Sequence, residues 1–184
     1  MHKGGDYGVN VNEFAAFIQV GKGCRSTVPL MGRFLNQLKN FCLNKNRRYQ
    51  IRSGYIFEEC VREALEKQGF IVKNIRRIDR QEFDVIAVRN NIIFNVQCKN
   101  NFLDQTRIES ERKVFARYNR RLDKYYERAL EKERMRADLL CRELGLSEVR
   151  QFVISAFPIA TKNPRILAFA NISNFSTLAT TLEV

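Results

Sequence analysis

The chain carries one histidine, His2, and that scarcity narrows the chemistry open to it. A single histidine argues against a Ser-His-Asp or Cys-His hydrolase. The five cysteines, Cys24, Cys42, Cys60, Cys98 and Cys141, are odd in number, widely spaced and without a Cys-x-x-Cys pair. With so little histidine, they argue against a Cys/His zinc site. They read instead as small apolar residues in a reducing compartment, and a cytoplasmic location is expected. No apolar run approaches a membrane span, and the N-terminus lacks the apolar core of a signal peptide, so no membrane partner is expected. Gly21-Lys22-Gly23 lacks the downstream spacing of either phosphate-loop fingerprint and reads as a turn. There is no internal repeat and no low-complexity linker.

What is present is an ordinary globular composition, 45% apolar over 184 residues, with a formal net charge of +12 and a pI near 9.8. The length suits one domain with an N-terminal extension. The charge favours a polyanionic partner, nucleic acid first and an anionic membrane surface second. Through Arg52 there are nine Lys and Arg against two Asp and Glu, so this stretch supplies +7 of the total. Residues 1–52 therefore read as a basic, mainly helical extension or subdomain, and 53–184 as the principal domain. Within the extension a helix is expected from about Pro29 to Leu43, capped by Ser26 or Thr27, with a stripe of Leu30, Phe34, Leu38 and Phe41 or Cys42. Arg47 and Arg48 belong to a basic cluster at its end, which is either a nucleic-acid contact or a solvated surface.

Ser53-Gly54 reads as the start of the next helix, closed by Gly69. Phe57, Val61, Ala64 and Leu65 form its apolar face. At 100° per residue Glu58 lies at the edge of that face, while Glu59 points to solvent together with Arg62, Glu63 and Glu66. Strands are expected over 70–78, 83–88, 92–99, 149–156 and 166–170, with one long helix or two over 107–143 and a short C-terminal helix from Ser173-Asn174. The first half of the long helical stretch is basic, with Arg112, Lys113, Arg117, Arg120, Arg121 and Lys124. Those residues are either DNA-backbone contacts or a solvated face. Tyr118, Tyr125 and Tyr126 among them read as packing residues before stacking platforms.

The densest signal lies between Glu82 and Lys99. Two β-branched runs flank Asn90-Asn91, a tight hairpin turn, and pairing 89 with 92 sets Asp84 opposite Gln97 and Glu82 opposite Lys99. Alternation puts all four on one face with Ile86, Val88 and Ile93. Polar and charged groups beside an apolar surface are costly unless they pair or hold a metal. Both faces of the hairpin are largely apolar, as befits strands inside a sheet covered on both sides.

These residues resemble a known family. Gly54-x-x-Phe57-Glu58 on a helix, Gly69-Phe70 entering a strand, Glu82-x-Asp84 and Gln97-x-Lys99 together resemble the core of the PD-(D/E)XK nucleases. The glutamine in the last motif is similar to the Mrr-like type IV restriction endonucleases. Phe83 stands where the family's namesake proline would be, and Gln97 where most members carry a carboxylate. A neutral amide oxygen can ligate a hard cation but adds no negative charge, so weaker metal binding follows.

The resemblance implies an α/β fold with a restriction-endonuclease-like core, a mixed central sheet flanked by helices on both faces. It implies a Mg²⁺- or Mn²⁺-dependent endonuclease acting on DNA, of restriction, defence or repair type. The catalytic set would be Asp84, Gln97, Lys99 and Glu58. Asp84 would be the central metal ligand, with the Gln97 side chain and the Cys98 backbone carbonyl beside it and Glu58 holding a water or a second metal. Glu82 would assist Asp84 or neutralise Lys99, and Lys99 would orient the attacking water and stabilise developing charge. Two alternatives stand beside this one. The first is an inactive nuclease fold serving as a nucleic-acid-binding module. The second is a structure-specific nuclease of Holliday-junction type, which would act as a homodimer. Type IV enzymes usually carry a separate targeting domain or subunit, and residues 1–52 are the candidate within this sequence.

Overall fold

The computed structural model describes residues 17–45, 47–100 and 112–181. The described residues divide into two units, the first drawn from Met1–Gln50 and Phe102–Phe115 and the second from Ile51–Asn101 and Ala116–Val184.

In the first unit, strands β1 (Ile18–Val20) and β2 (Gly23–Arg25) form an antiparallel hairpin. Its turn uses Gly21 at φ +62°, a left-handed conformation that glycine adopts without steric cost. Helix α1 (Val28–Lys45) follows, and the Thr27 hydroxyl accepts the Leu30 N–H at 3.4 Å in the position of an N-cap. Leu30 and Phe34 are half-buried, whereas Leu38, expected in the same stripe, is exposed. The side chains of Phe41 and Cys42 lie outside the described residues.

Helix α2 (Arg47–Glu66) begins earlier than its sequence suggests, so Ser53-Gly54 sits inside it. Arg47 to Gln50 extend the helix upstream, and an interior glycine weakens a helix by ~1 kcal/mol without ending it. Gly69 at φ +82° turns the chain into β3 (Ile71–Lys73). The single strand expected over 70–78 is interrupted. A separate hairpin of β4 (Arg77–Ile78) and β5 (Gln81–Glu82) turns at Asp79 and Arg80, both with positive φ. Strands β6 (Val85–Arg89) and β7 (Ile92–Lys99) then form the expected hairpin, with Arg89 opposite Ile92. Asn90 and Asn91 take φ values of 52° and 61°, the doubly left-handed turn that asparagine tolerates.

Helices α3 (Arg112–Arg134) and α4 (Ala137–Leu144) divide the long helical stretch, whose expected beginning over 107–111 lies outside the described residues. The break at Met135-Arg136 needs neither glycine nor proline. Gly145, at φ +65°, ends α4 and leads to β8 (Glu148–Ser155). Strand β9 (Ile166–Ala168), a 3₁₀ turn (Phe169–Asn174) and α5 (Phe175–Thr181) complete the second unit.

The sheet has the order β3-β6-β7-β8-β9. Its first three strands are antiparallel neighbours, and β7, β8 and β9 run parallel. This is the mixed, α/β architecture expected. One face carries Val85, Ala87, Phe94, Val96, Phe152 and Ile154 and is covered by α2 and α5. On the other, Val153 and Ile166 pack against α3, and Ile86 and Ile93 against Leu140 of α4. Burial on both sides explains why β6 and β7 read as near-continuous apolar runs. No helix among the described residues is long and apolar enough to cross a membrane.

Candidate active site

The polar residues of the 82–99 stretch gather where β6 and β7 begin to separate. Paired residues end at Val85 and Val96, and Asp84 occupies a bend just before β6. There its Oδ2 accepts the backbone N–H of Cys98 at 2.8 Å. The carboxylate thus takes the place that the next sheet hydrogen bond would fill. In an extended strand the N–H and C=O of one residue face the same edge, so the Cys98 carbonyl faces the Asp84 side of β7 as well. The Gln97 side chain hydrogen-bonds to Asp84, and the Lys99 charge acts on it.

Burial raises the Asp84 carboxyl above its ordinary range. The Cys98 N–H, Lys99 and Gln97 oppose that shift, and the negative charge of Glu133 adds to it. Glu58, half-buried on α2, is likewise raised, first by burial and then by the charge of Asp84, with Arg76 and Arg62 acting the other way. A carboxylate whose charge lifts its neighbour's affinity for a proton also favours a cation beside the two. The Cys98 thiol is pushed well up by burial and by both carboxylates, which keeps it protonated and out of the site's chemistry.

Arg62 lies one turn beyond Glu58. The expectation that it is solvated is wrong: Arg62 is buried, and its Nη1 and Nη2 donate to the carbonyls of Lys73 and Asp84, each at 3.3 Å. The fork ties α2 to β3 and to the bend that carries Asp84. On the opposite face of the sheet, Glu133 of α3 is almost fully buried and accepts the Asn95 amide at 2.9 Å. It also pairs with Arg136, which lies 4.9 Å over the Phe83 ring and donates to the Glu82 carbonyl at 3.1 Å. The i,i+3 spacing to Arg136 is a local signal, but the Asn95 partner comes from β7, 38 residues away.

Lys99, at the end of β7, holds its Nζ 5.3 Å from the centroid of the Tyr125 ring. Asn100, next along, donates to the Ser53 hydroxyl at 2.6 Å and so fastens α2 beside the end of β7. Glu82 is not opposite Lys99. The β4–β5 turn diverts it into pairing with Arg77, with which it forms an exposed ion pair, although its charge still reaches Glu58. Arg117, Arg120, Arg121 and Lys124 are exposed on α3, away from buried Leu122 and Tyr126. Lys113 is exposed too, and the Arg112 side chain lies outside the described residues. Arg47 and Arg48, in the first unit, are exposed.

Among the described residues, no three aspartate, glutamate, histidine or cysteine side chains come together as a metal-holding group. The oxygen donors at the site are two carboxylates, Asp84 and Glu58, an amide, Gln97, and a backbone carbonyl, Cys98. That all-oxygen set fits a hard divalent cation that keeps several waters, and not zinc or copper.

Residues 51–120 match the Mrr-type family model whose description is restriction endonuclease. No curated protein and no solved structure matches the chain. The matched stretch contains Glu58, Asp84, Gln97 and Lys99 together, and over it the resemblance read from the motifs holds. Residues 51–120 are thus similar to a restriction-endonuclease domain.

Proposed function

We propose that the chain is a metal-dependent endonuclease that hydrolyses phosphodiester bonds in DNA, in restriction, defence or repair. One observation supports this above the others: the Asp84 carboxylate is anchored on the Cys98 N–H, between Gln97 and Lys99 and within the electrostatic reach of Glu58. Asp84, Gln97, the Cys98 carbonyl and Glu58 would hold Mg²⁺ or Mn²⁺. A hard cation so held supplies Lewis-acid polarisation of the scissile phosphate.

The protein's own residues do the rest. Lys99 sets a positive charge and N–H donors where negative charge grows on the phosphate, and it orients the attacking water. Glu58 fixes a second water or cation on the α2 side. Arg117, Arg120, Arg121 and Lys124 hold the phosphate backbone by charge, which gives affinity that salt weakens. Lys113, Arg47 and Arg48, exposed in the first unit, raise the positive charge that draws a polyanion to the chain. Glu82 balances Arg77 and takes no ligand role.

The test is incubation of the purified protein with supercoiled, linear and branched DNA in Mg²⁺, Mn²⁺ or chelator, beside Lys99→Ala. Nicking or cutting that needs the cation and vanishes in the variant is the expected result. Preference for branched DNA together with a dimer in solution would indicate a junction nuclease. Salt-sensitive binding without cleavage under either metal would overturn catalysis and leave a binding module.

A further inference from the structure

Lys99 has an unusual partner. No ion pair holds its ammonium among the described residues, and its close contact is the face of Tyr125, 5.3 Å from ring centroid to Nζ. The neighbouring tyrosine explains why the ring is there. Tyr126 is fully buried, and its hydroxyl shares a hydrogen bond of 3.0 Å with the Ser155 hydroxyl. Ser155 is the residue of β8 in register with Lys99, and the Ala156 N–H donates to the Lys99 carbonyl at 2.9 Å. Tyr126 therefore pins α3 to the sheet at the level of Lys99, and Tyr125, one residue earlier, brings its half-exposed ring to the lysine.

A carboxylate in that place would take up N–H donors of the ammonium and offset its charge. An aromatic face attracts the cation through its quadrupole and offers no lone pair, so it restrains the charge while leaving the donors for water and phosphate oxygens. We propose that Tyr125 is a positioning residue for Lys99, its ring fixing where the ammonium stands during phosphodiester hydrolysis. The inference rests on the nuclease reading above and adds to it a residue that none of the nuclease motifs contains.

Tyr125→Leu and Tyr125→Phe separate the ring from the hydroxyl and from general structure. Steady-state cleavage of DNA by the full chain should show kcat reduced roughly three- to tenfold in Tyr125→Leu, with KM held within about twofold, and close to wild type in Tyr125→Phe. A second readout needs no activity. In ¹³C-lysine-labelled protein, with the signal assigned by its loss in Lys99→Ala, the Lys99 ε-methylene protons should show an upfield ring-current shift in wild type and Tyr125→Phe. That shift should be missing in Tyr125→Leu.

A wild-type protein that cleaves no DNA with either metal would overturn the nuclease reading itself. A wild-type protein that cleaves, with Tyr125→Leu equally fast or with Tyr125→Phe as slow as Tyr125→Leu, would overturn the role of Tyr125 alone. So would an ε-methylene shift that is the same in all three proteins.

Discussion

Arg62 grips the main chain of Asp84 while the Cys98 N–H grips its carboxylate, so the residue is held at both ends, from α2 and from β7. The Arg62 fork also reaches Lys73, which makes one side chain the link between a helix, an edge strand and the bend of the candidate site.

Arg62→Met should therefore destabilise the protein by about 2–4 kcal/mol, because it strands two carbonyls away from their donor. Arg62→Lys should recover only part of that, since an ammonium cannot span both acceptors as the planar fork does. Urea denaturation of the three proteins measures both steps. A wild-type midpoint in Arg62→Met would show that the fork holds nothing.

Gln97→Glu turns the neutral donor beside Asp84 into a carboxylate. Without divalent cation the variant should melt at a lower temperature, because a further negative charge then sits beside Asp84 and Glu58. With Mg²⁺ or Mn²⁺ its gain in melting temperature should exceed that of the wild type, reflecting tighter binding. Thermal melting with cation and with chelator reads both effects. Equal gains in the two proteins would remove Gln97 from the ligand set.

Glu133→Ala leaves the Arg136 charge and the buried Asn95 amide without their acceptor. The expected loss is about 3–5 kcal/mol, the usual result of breaking one side of a buried pair. Glu133→Gln should cost less, as it keeps an acceptor for Asn95. Chemical denaturation distinguishes the two, and equal losses would mean that charge alone matters there.

Gly54 lies inside α2 with nothing within 4 Å of the position a Cβ would take. Gly54→Ala should stabilise the fold by about 0.5–1 kcal/mol, through helix propensity and a less flexible unfolded chain. A lower denaturation midpoint would show that the helix needs its flexibility at this point.

The sequence was most legible where local rules and tertiary packing agree. Asn90-Asn91 names its own turn, the register follows from it, and β7 runs over the residues its pattern marks. Asp84, Gln97 and Lys99 share one short segment of chain, so their approach needed only that register. Glu82 was misplaced because Asp79-Arg80 contains no glycine, yet adopts a left-handed turn that redirects the strand. The break at Met135-Arg136 was equally silent. Arg136 is held there by the nearby Glu133 and, from segments distant in sequence, by Phe83 and the Glu82 carbonyl. At 100° per residue Arg62 falls off the apolar face and reads as solvated, whereas a long guanidinium at that flank needs only carbonyls to receive its donors.

The Asn90-Asn91 turn and the Asp84–Lys99 cluster occupy opposite ends of the same two strands. That separation divides the hairpin into a part where chain length matters and a part where it does not. A residue inserted within β7 would exchange its faces and bring the Cys98 side chain where Gln97 or Lys99 belongs. A peptide or fluorophore spliced at the exposed turn leaves the pairing beyond it untouched. The protein thus offers a built-in attachment point, rigidly connected to its chemistry and distant from it.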